Sequence, residues 1–383
     1  MQLAKRVLAV KPSATLAISA QAKELKRKGE NVINLSAGEP DFATPDYIKK
    51  AAIDALKENF TRYTDTAGTK ELREKISLKL KKDNDLNYSP EEIIVSTGAK
   101  QALYNALMVL CNPGDEVIIP APYWVSYPEM VRLVEAIPVV LPTKNFRIEP
   151  EELEKIITKK TKVIILNSPA NPTGVVYKKE ELKEIAEIIV RYNVHCLSDE
   201  IYEKIIYGRI KHISIATLNE KIKNLTILIN GFSKSYAMTG WRLGYAAGNK
   251  EIIAGMKKLQ SHSTSCPNSI AQKAALAALG GNQSEVERMR KEFEKRRNFL
   301  TKRLNEIKGI IFSEPEGAFY IFLSHPQISD SLNFAKELLE KEKLAVVPGI
   351  GFGKEGYLRI SFAASLREIG EGIKRLKRFI ENS

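Results

Sequence analysis

The sequence predicts an α/β protein built on a mainly parallel sheet of seven strands flanked by helices, with a smaller α+β region beside it. Two patterns carry this expectation. Seven short apolar runs recur through the middle of the chain with helical patterns between them, and the carboxy-terminal third changes rhythm to a long charged helix followed by short strands.

Near the amino terminus, Thr44-Pro45-Asp46 predicts a helix start, with the Thr44 hydroxyl capping free N–H groups and proline at the first helical position. Leu35 to Thr44 is then an ordered loop leading into that helix. Strands are expected at Ile93–Thr97, Glu116–Ile119, Pro138–Leu141, Val163–Asn167, Val194–Ser198, Thr226–Asn230 and Leu243–Ala247. Between the fourth and fifth, Lys178–Tyr192 reads as a helix with Leu182, Ile185, Ile189 and Tyr192 facing the sheet. The last third predicts a helix over Ser284–Ile307 and strands around Phe312 and at Phe319–Leu323. A helix, a strand near Val346, another at Tyr357–Phe362 and a final helix follow.

Composition bounds the function. With 383 residues, 44% apolar and 27% charged, the chain is in the globular range and long enough for substantial cores. No apolar run approaches the roughly 20 residues that cross a bilayer, and no secretory leader pattern is visible, so a cytoplasmic protein without membrane partners is expected. Cys111, Cys196 and Cys266 are too scattered for a disulfide framework or a thiolate metal site. The four histidines, 195, 212, 262 and 325, also lack metal spacing, so no metal is expected. The charge balance, 59 − 46 = +13, comes from bases mixed with acids along helical segments. That is the mark of solvated helix faces, not of a nucleic-acid surface, although a positive field helps draw in small anions.

In an open α/β sheet ligands collect at the carboxyl ends of the strands. Gly98-Ala99-Lys100 there opens a helix whose free N–H groups suit an anion. Ser168 to Gly174 forms a proline-stiffened loop that fixes Asn171. Asp199 ends an apolar strand with Tyr202 three residues on, and a desolvated carboxylate there needs a cation or else a raised pKa. Ser233-Lys234-Ser235 and Arg242 follow the sixth strand, and burial lowers a lysine pKa toward a nucleophilic amine. Each feature alone is ordinary. Together, a lysine, an acid, an amide, a phenol and a Ser/Arg/glycine anion cradle suit pyridoxal phosphate, which needs an imine-forming amine, a protonated ring nitrogen, donors to its ring oxygen and a phosphate site.

Three motifs then identify a resemblance over nearly the whole chain: Asn-Pro-Thr-Gly at 171–174, Ser-Asp-Glu-Ile-Tyr at 198–202, and Ser-Lys-Ser-Tyr-Ala-Met-Thr-Gly-Trp-Arg at 233–242. In this order they resemble the class I aminotransferases of fold type I. The resemblance implies a pyridoxal 5'-phosphate enzyme with a large domain at 46–285 and a small domain from 1–45 plus 286–383. It implies that Lys234 carries the cofactor and shuttles protons, and that Asp199 pairs with the ring nitrogen. Tyr202 and Asn171 would meet the ring oxygen. Ser233, Arg242 and the Gly98, Ala99 and Lys100 amides would hold the phosphate, while Trp124 stacks on the ring. Tyr63 resembles a phosphate ligand lent by a neighbouring subunit, hence a homodimer with shared active sites.

For the substrate, Arg359 resembles the family's arginine for the α-carboxylate. Strand alternation agrees, since Leu358, Ile360 and Phe362 share one face and leave Arg359 and Ser361 on the other. Asn171 would also touch this carboxylate, and Gly38 resembles a loop glycine whose N–H contacts substrate. Residues 260–268 contain no arginine for a distal carboxylate. Instead Thr15, Lys100, Tyr123 and Trp124 resemble the bacterial and plant-plastid subgroup, in which a lysine and a threonine at the positions of Lys100 and Thr15 serve that group. The implied activity is ping-pong transamination between L-aspartate and 2-oxoglutarate, or alternatively amination of prephenate.

Two other functional classes stay in view. Another pyridoxal enzyme, such as a β-lyase or decarboxylase, would share the cradle, and a ligand-sensing regulator would need a DNA-binding domain. Pro348 to Gly353 lacks the third glycine of a dinucleotide loop, and Gly231 to Ser235 lacks the last glycine of a nucleophile elbow.

Overall fold

The computed structural model describes residues 3–11 and 14–382, with the side chains of 14–17 outside that description. The central sheet consists of β1 (Ile93–Ser96), β2 (Glu116–Ala121), β3 (Ile137–Pro142), β4 (Thr161–Asn167), β5 (His195–Asp199), β6 (Thr226–Gly231) and β7 (Gly244–Ala247). Their order is β1-β7-β6-β5-β4-β2-β3. Only β7 runs antiparallel to its neighbours. The expected strands are all present, with no end shifted by more than two residues.

Such strands read as continuous apolar runs because helices cover both faces. Alternate residues divide the cover: Val117, Val163, Ile165 and Leu197 pack with Leu103 and Leu107 of helix Ala99–Leu110. Ile118, Ile164 and Cys196 pack instead with Leu182, Ile185 and Ile189 of helix Lys179–Tyr192. On that helix the expectation for Tyr192 fails. It is the last helical residue, exposed, and its hydroxyl donates to Glu154 Oε1 at 2.8 Å. The chain turns away at Asn193 (φ 52°) before Tyr192 can reach the sheet, and Ala186 and Ile188 complete the buried face instead.

The Thr44 cap also fails. Helix Asp46–Lys57 begins after Pro45, which stands at the capping position with no side-chain cap. The Thr44 hydroxyl donates instead to Ala237 O (2.7 Å) and accepts from Trp241 Nε1 (3.0 Å). It therefore pins the loop after β6, not its own helix.

The carboxy-terminal third forms an antiparallel sheet in the order Val347–Pro348, Tyr357–Ser361, Tyr320–Ser324, Ile311–Phe312, flanked by helices Ser284–Leu304 and Leu366–Asn382. Ile33–Asn34 pairs in parallel with Leu344–Ala345. Leu35 shares one core with Phe293, Phe319 and Ile360, so the amino-terminal segment folds onto this third. Tyr202 belongs to the same core, which brings the end of β5 against the smaller sheet. Among the described residues no helix is long and apolar enough to cross a membrane.

Candidate active site

A cleft of about 540 Å³ opens where the ends of β4, β5 and β6 meet strand Tyr357–Ser361. Every residue given a cofactor or substrate role from the sequence lines it except Gly98, Tyr63 and Thr15, and Tyr123, singled out beside Trp124, does not line it either. Gly98 lies just behind the wall against Arg242, Tyr63 is 90% exposed, and the Thr15 side chain lies outside the described residues.

Asp199 is delivered by the end of β5 and is buried. Its Oδ2 accepts a 2.6 Å hydrogen bond from the Tyr127 hydroxyl, and Oδ1 accepts from the Ile201 N–H at 3.2 Å. Burial outweighs these donors and pushes the carboxyl up to about 6. The turn after β6 sets Lys234 in the same cleft, its amine donating to Gly38 O at 2.6 Å. Although part of the lysine is accessible from the cleft, burial lowers its pKa to about 8. That value already includes the opposing charges, Glu39 and Asp199 raising it and Arg359 and Arg242 lowering it. The amine is thus far closer to neutral than a surface lysine.

The anion cradle depends on two glycines. Gly98 has φ +82°, and a Cβ there would sit 2.7 Å from Arg242 Nη2. A Cβ on Gly244 would lie 2.3 Å from the Ala99 nitrogen, so β7 accepts the helix amino terminus only because that position is bare. Arg242, itself left-handed at φ 52°, donates to Thr239 O at 2.9 Å, and buried Ser233 lines the same wall. Free helix N–H groups, a guanidinium and a hydroxyl suit a phosphate.

Opposite, Arg359 is only 2% exposed and has no carboxylate partner among the described residues. Nη2 donates to Ser36 O (2.7 Å) and Nη1 to Asn171 Oδ1 (3.1 Å), while Nε has no partner among the described residues. The Tyr320 ring lies 4.3 Å from the guanidinium. A buried cation left with an unused donor is a site for an incoming anion. Lys100 stands over Trp124 at 4.8 Å, its pKa lowered by burial and by Arg242. Trp124 meets Tyr127 edge to face at 5.3 Å.

Three members of the site escaped sequence reasoning: Tyr127, Tyr320 and Ser36. Tyr127 follows Trp124 by three residues, the spacing of one helical turn, and that was its only local signal. Of the four histidines, half-buried His212 faces Glu200 Oε2 at 2.8 Å in a polar cluster behind Asp199. There Glu203 pairs with Lys79 and Asn84, and Glu200 with Ser198 and Ser214.

These features fit a phosphorylated pyridine aldehyde. The glycine-lined cradle leaves room beside Arg242, the desolvated amine suits a carbonyl, and the buried acid suits a ring nitrogen. The sequence profile of the family "Aminotransferase class I and II" matches residues 30–376. The aspartate aminotransferase of Bacillus subtilis (strain 168) is 50% identical over 390 residues, covering 100% of this chain and 99% of that protein. A probable aspartate/prephenate aminotransferase of Aquifex aeolicus is 47% identical over 388 residues, covering 99% and 98%. The Thermus thermophilus aspartate aminotransferase solved with maleate superposes with a TM-score of 0.95 at 42% identity, covering 99% of each chain. A lysine and an acid converging from β6 and β5, in a chain alike to these proteins from end to end, have one family explanation: the chain belongs to the class I aminotransferases, which depend on pyridoxal phosphate.

Proposed function

We propose that the protein moves the amino group of L-aspartate to 2-oxoglutarate, giving oxaloacetate and L-glutamate. The observation that carries this reading is a single cleft with a buried, unpaired Arg359 and a separate cation, Lys100. Two cations suit a substrate with two carboxylates. Pyridoxal phosphate supplies, when bound, an aldehyde that takes up an amino group and a ring that accepts electron density. The donor's oxo product leaves before the acceptor enters, so one set of groups serves both half-reactions.

In this reading Lys234 holds the cofactor and moves the proton at the substrate Cα, and Asp199 keeps a proton on the ring nitrogen. Tyr202 and Asn171 donate to the ring oxygen, with Asn171 also meeting the substrate carboxylate. Ser233, Arg242 and the Gly98, Ala99 and Lys100 amides hold the phosphate, and Trp124 covers the ring face. Arg359 grips the α-carboxylate as a planar bidentate donor, helped by the Gly38 N–H, and Lys100 with Thr15 meets the distal one. Tyr63 reaches the phosphate of a neighbouring subunit in a homodimer. The division into 46–285 and 1–45 plus 286–383 lets the smaller body close over substrate, and the enzyme works in the cytoplasm.

A coupled assay for oxaloacetate with aspartate and 2-oxoglutarate tests the reaction, and no product with the cofactor-loaded protein sinks it. The Lys100→Ala variant loses most with dicarboxylate substrates, and equal loss with phenylpyruvate as acceptor refutes its role. A second reading, prephenate as acceptor, is favoured by the Aquifex aeolicus relative and by the same pair of cations. Including prephenate in the assay decides it.

A further inference from the structure

The small sheet sends one side chain to both halves of the cleft. In the antiparallel pair of Tyr320–Ser324 with Tyr357–Ser361, Tyr320 opposes Ser361 and Phe322 opposes Arg359. Tyr320 and Arg359 are therefore diagonal neighbours on one face, and the register alone brings the phenol ring to 4.3 Å from the guanidinium. Tyr320 is fully buried and has its hydroxyl 2.9 Å from that of Tyr202. Among the described residues that is its one polar partner. The hydroxyl also abuts the loop that receives Lys234, since a Cβ on Gly38 would stand 3.4 Å from it.

Either phenol can donate to the other. When Tyr202 turns its proton toward the cofactor ring oxygen, only the Tyr320 proton is left for the Tyr202 oxygen. A donor that is itself accepting a hydrogen bond donates more strongly. We propose that Tyr320 is a positioning residue with two separable tasks: its hydroxyl strengthens Tyr202 as a donor to the cofactor, and its ring face aligns Arg359 for the substrate carboxylate. The inference rests on the roles given above to Tyr202 and Arg359.

Two substitutions separate the tasks. Tyr320→Phe keeps the ring and removes the hydroxyl, whereas Tyr320→Leu removes both. The first readout is the pH midpoint of the visible absorbance of the substrate-free, cofactor-loaded enzyme. A weaker donor at the ring oxygen leaves more negative charge there and raises proton affinity beside it. Tyr320→Phe therefore raises the midpoint by roughly half a unit, as loss of part of one hydrogen bond implies. The second readout is the Kd of maleate, a dicarboxylate with no amino or oxo group to react. Tyr320→Phe leaves this within about twofold, whereas Tyr320→Leu raises it roughly five- to thirtyfold, the range of a desolvated cation–π contact. If Tyr320→Leu is insoluble, Tyr320→Met takes its place.

Tyr202→Phe and Arg359→Lys are the controls. An unmoved midpoint in Tyr320→Phe while Tyr202→Phe shifts it overturns the first task. Native maleate affinity in Tyr320→Leu while Arg359→Lys loses it overturns the second. Should both controls behave like the native enzyme, the site assignment itself falls, and the inference falls with it.

Discussion

Asp199 and Lys234 are ionisable groups held where water is scarce, and burial moves them in opposite senses: the carboxyl up to about 6 and the amine down to about 8. Each shift disfavours the charged form, so between these values the cofactor-free protein carries two costly charges. For Asp199 the folded pKa lies above the ordinary 3.8. Its relative stabilisation is complete below the ordinary value and lost as pH rises through about 6. For Lys234 the penalty is full below about 8 and relieved as pH climbs toward 10.5. Asp199→Asn, which keeps an acceptor for Tyr127, should therefore stabilise the cofactor-free protein at pH 7.5 by about 2 kcal/mol, a gain that fades by pH 4. Transamination should fall roughly a hundredfold or more, because an amide cannot keep the ring nitrogen protonated. Thermal melts at both pH values check the first point, and an equal gain at both would assign the effect to packing. Lys234→Ala should abolish the cofactor's lysine-linked visible band and turnover together, and a native spectrum in that variant would remove Lys234 from its role.

At the level of elements, the site depends on where a strand end meets a helix start. Gly98 and Gly244 let helix Ala99–Leu110 begin against β7 with Arg242 beside it, and neither tolerates a side chain without displacing backbone or the guanidinium. Gly98→Ala should weaken cofactor binding about ten- to a hundredfold at a strain cost of roughly 1–3 kcal/mol. Absorbance titration of the cofactor-free variant measures this, and native affinity would show that Arg242 yields freely. The strands themselves were legible because sheets covered on both faces leave apolar runs, and the cleft was legible because its residues follow strand ends in short motifs. What stayed hidden depended on distance along the chain. The Thr44 hydroxyl spends itself on Ala237 and Trp241, nearly two hundred residues away, so a local capping rule had no means of predicting it. Tyr320 looked like one more apolar strand residue, because its task comes from a register with Tyr357–Ser361 that only tertiary pairing sets.

The whole molecule raises the question of what completes the site. Tyr63 is 90% exposed and does not line the cleft of its own chain, unlike nearly every other residue the motifs selected. Just before it, helix Asp46–Lys57 exposes Ile53 and Leu56, which lie one turn apart. Exposed apolar side chains a few residues before a solvent-facing phenol are expected if a second copy covers them. The decisive experiment needs both kinds of defect in one assembly. A Lys234→Ala chain and a Tyr63→Ala chain, co-expressed with different tags, yield a mixed dimer that can be isolated by two affinity steps. If each Tyr63 serves the opposite cleft, both defects fall in one site and the other site is intact. Activity then returns to about half the native value per dimer, although each parent alone is impaired. If Tyr63 serves its own chain, the defects fall in different sites and the mixed dimer only averages its parents. Recovery above that average places the phenol across the interface; its absence, or a fully active Tyr63→Ala parent, removes Tyr63 from the shared site.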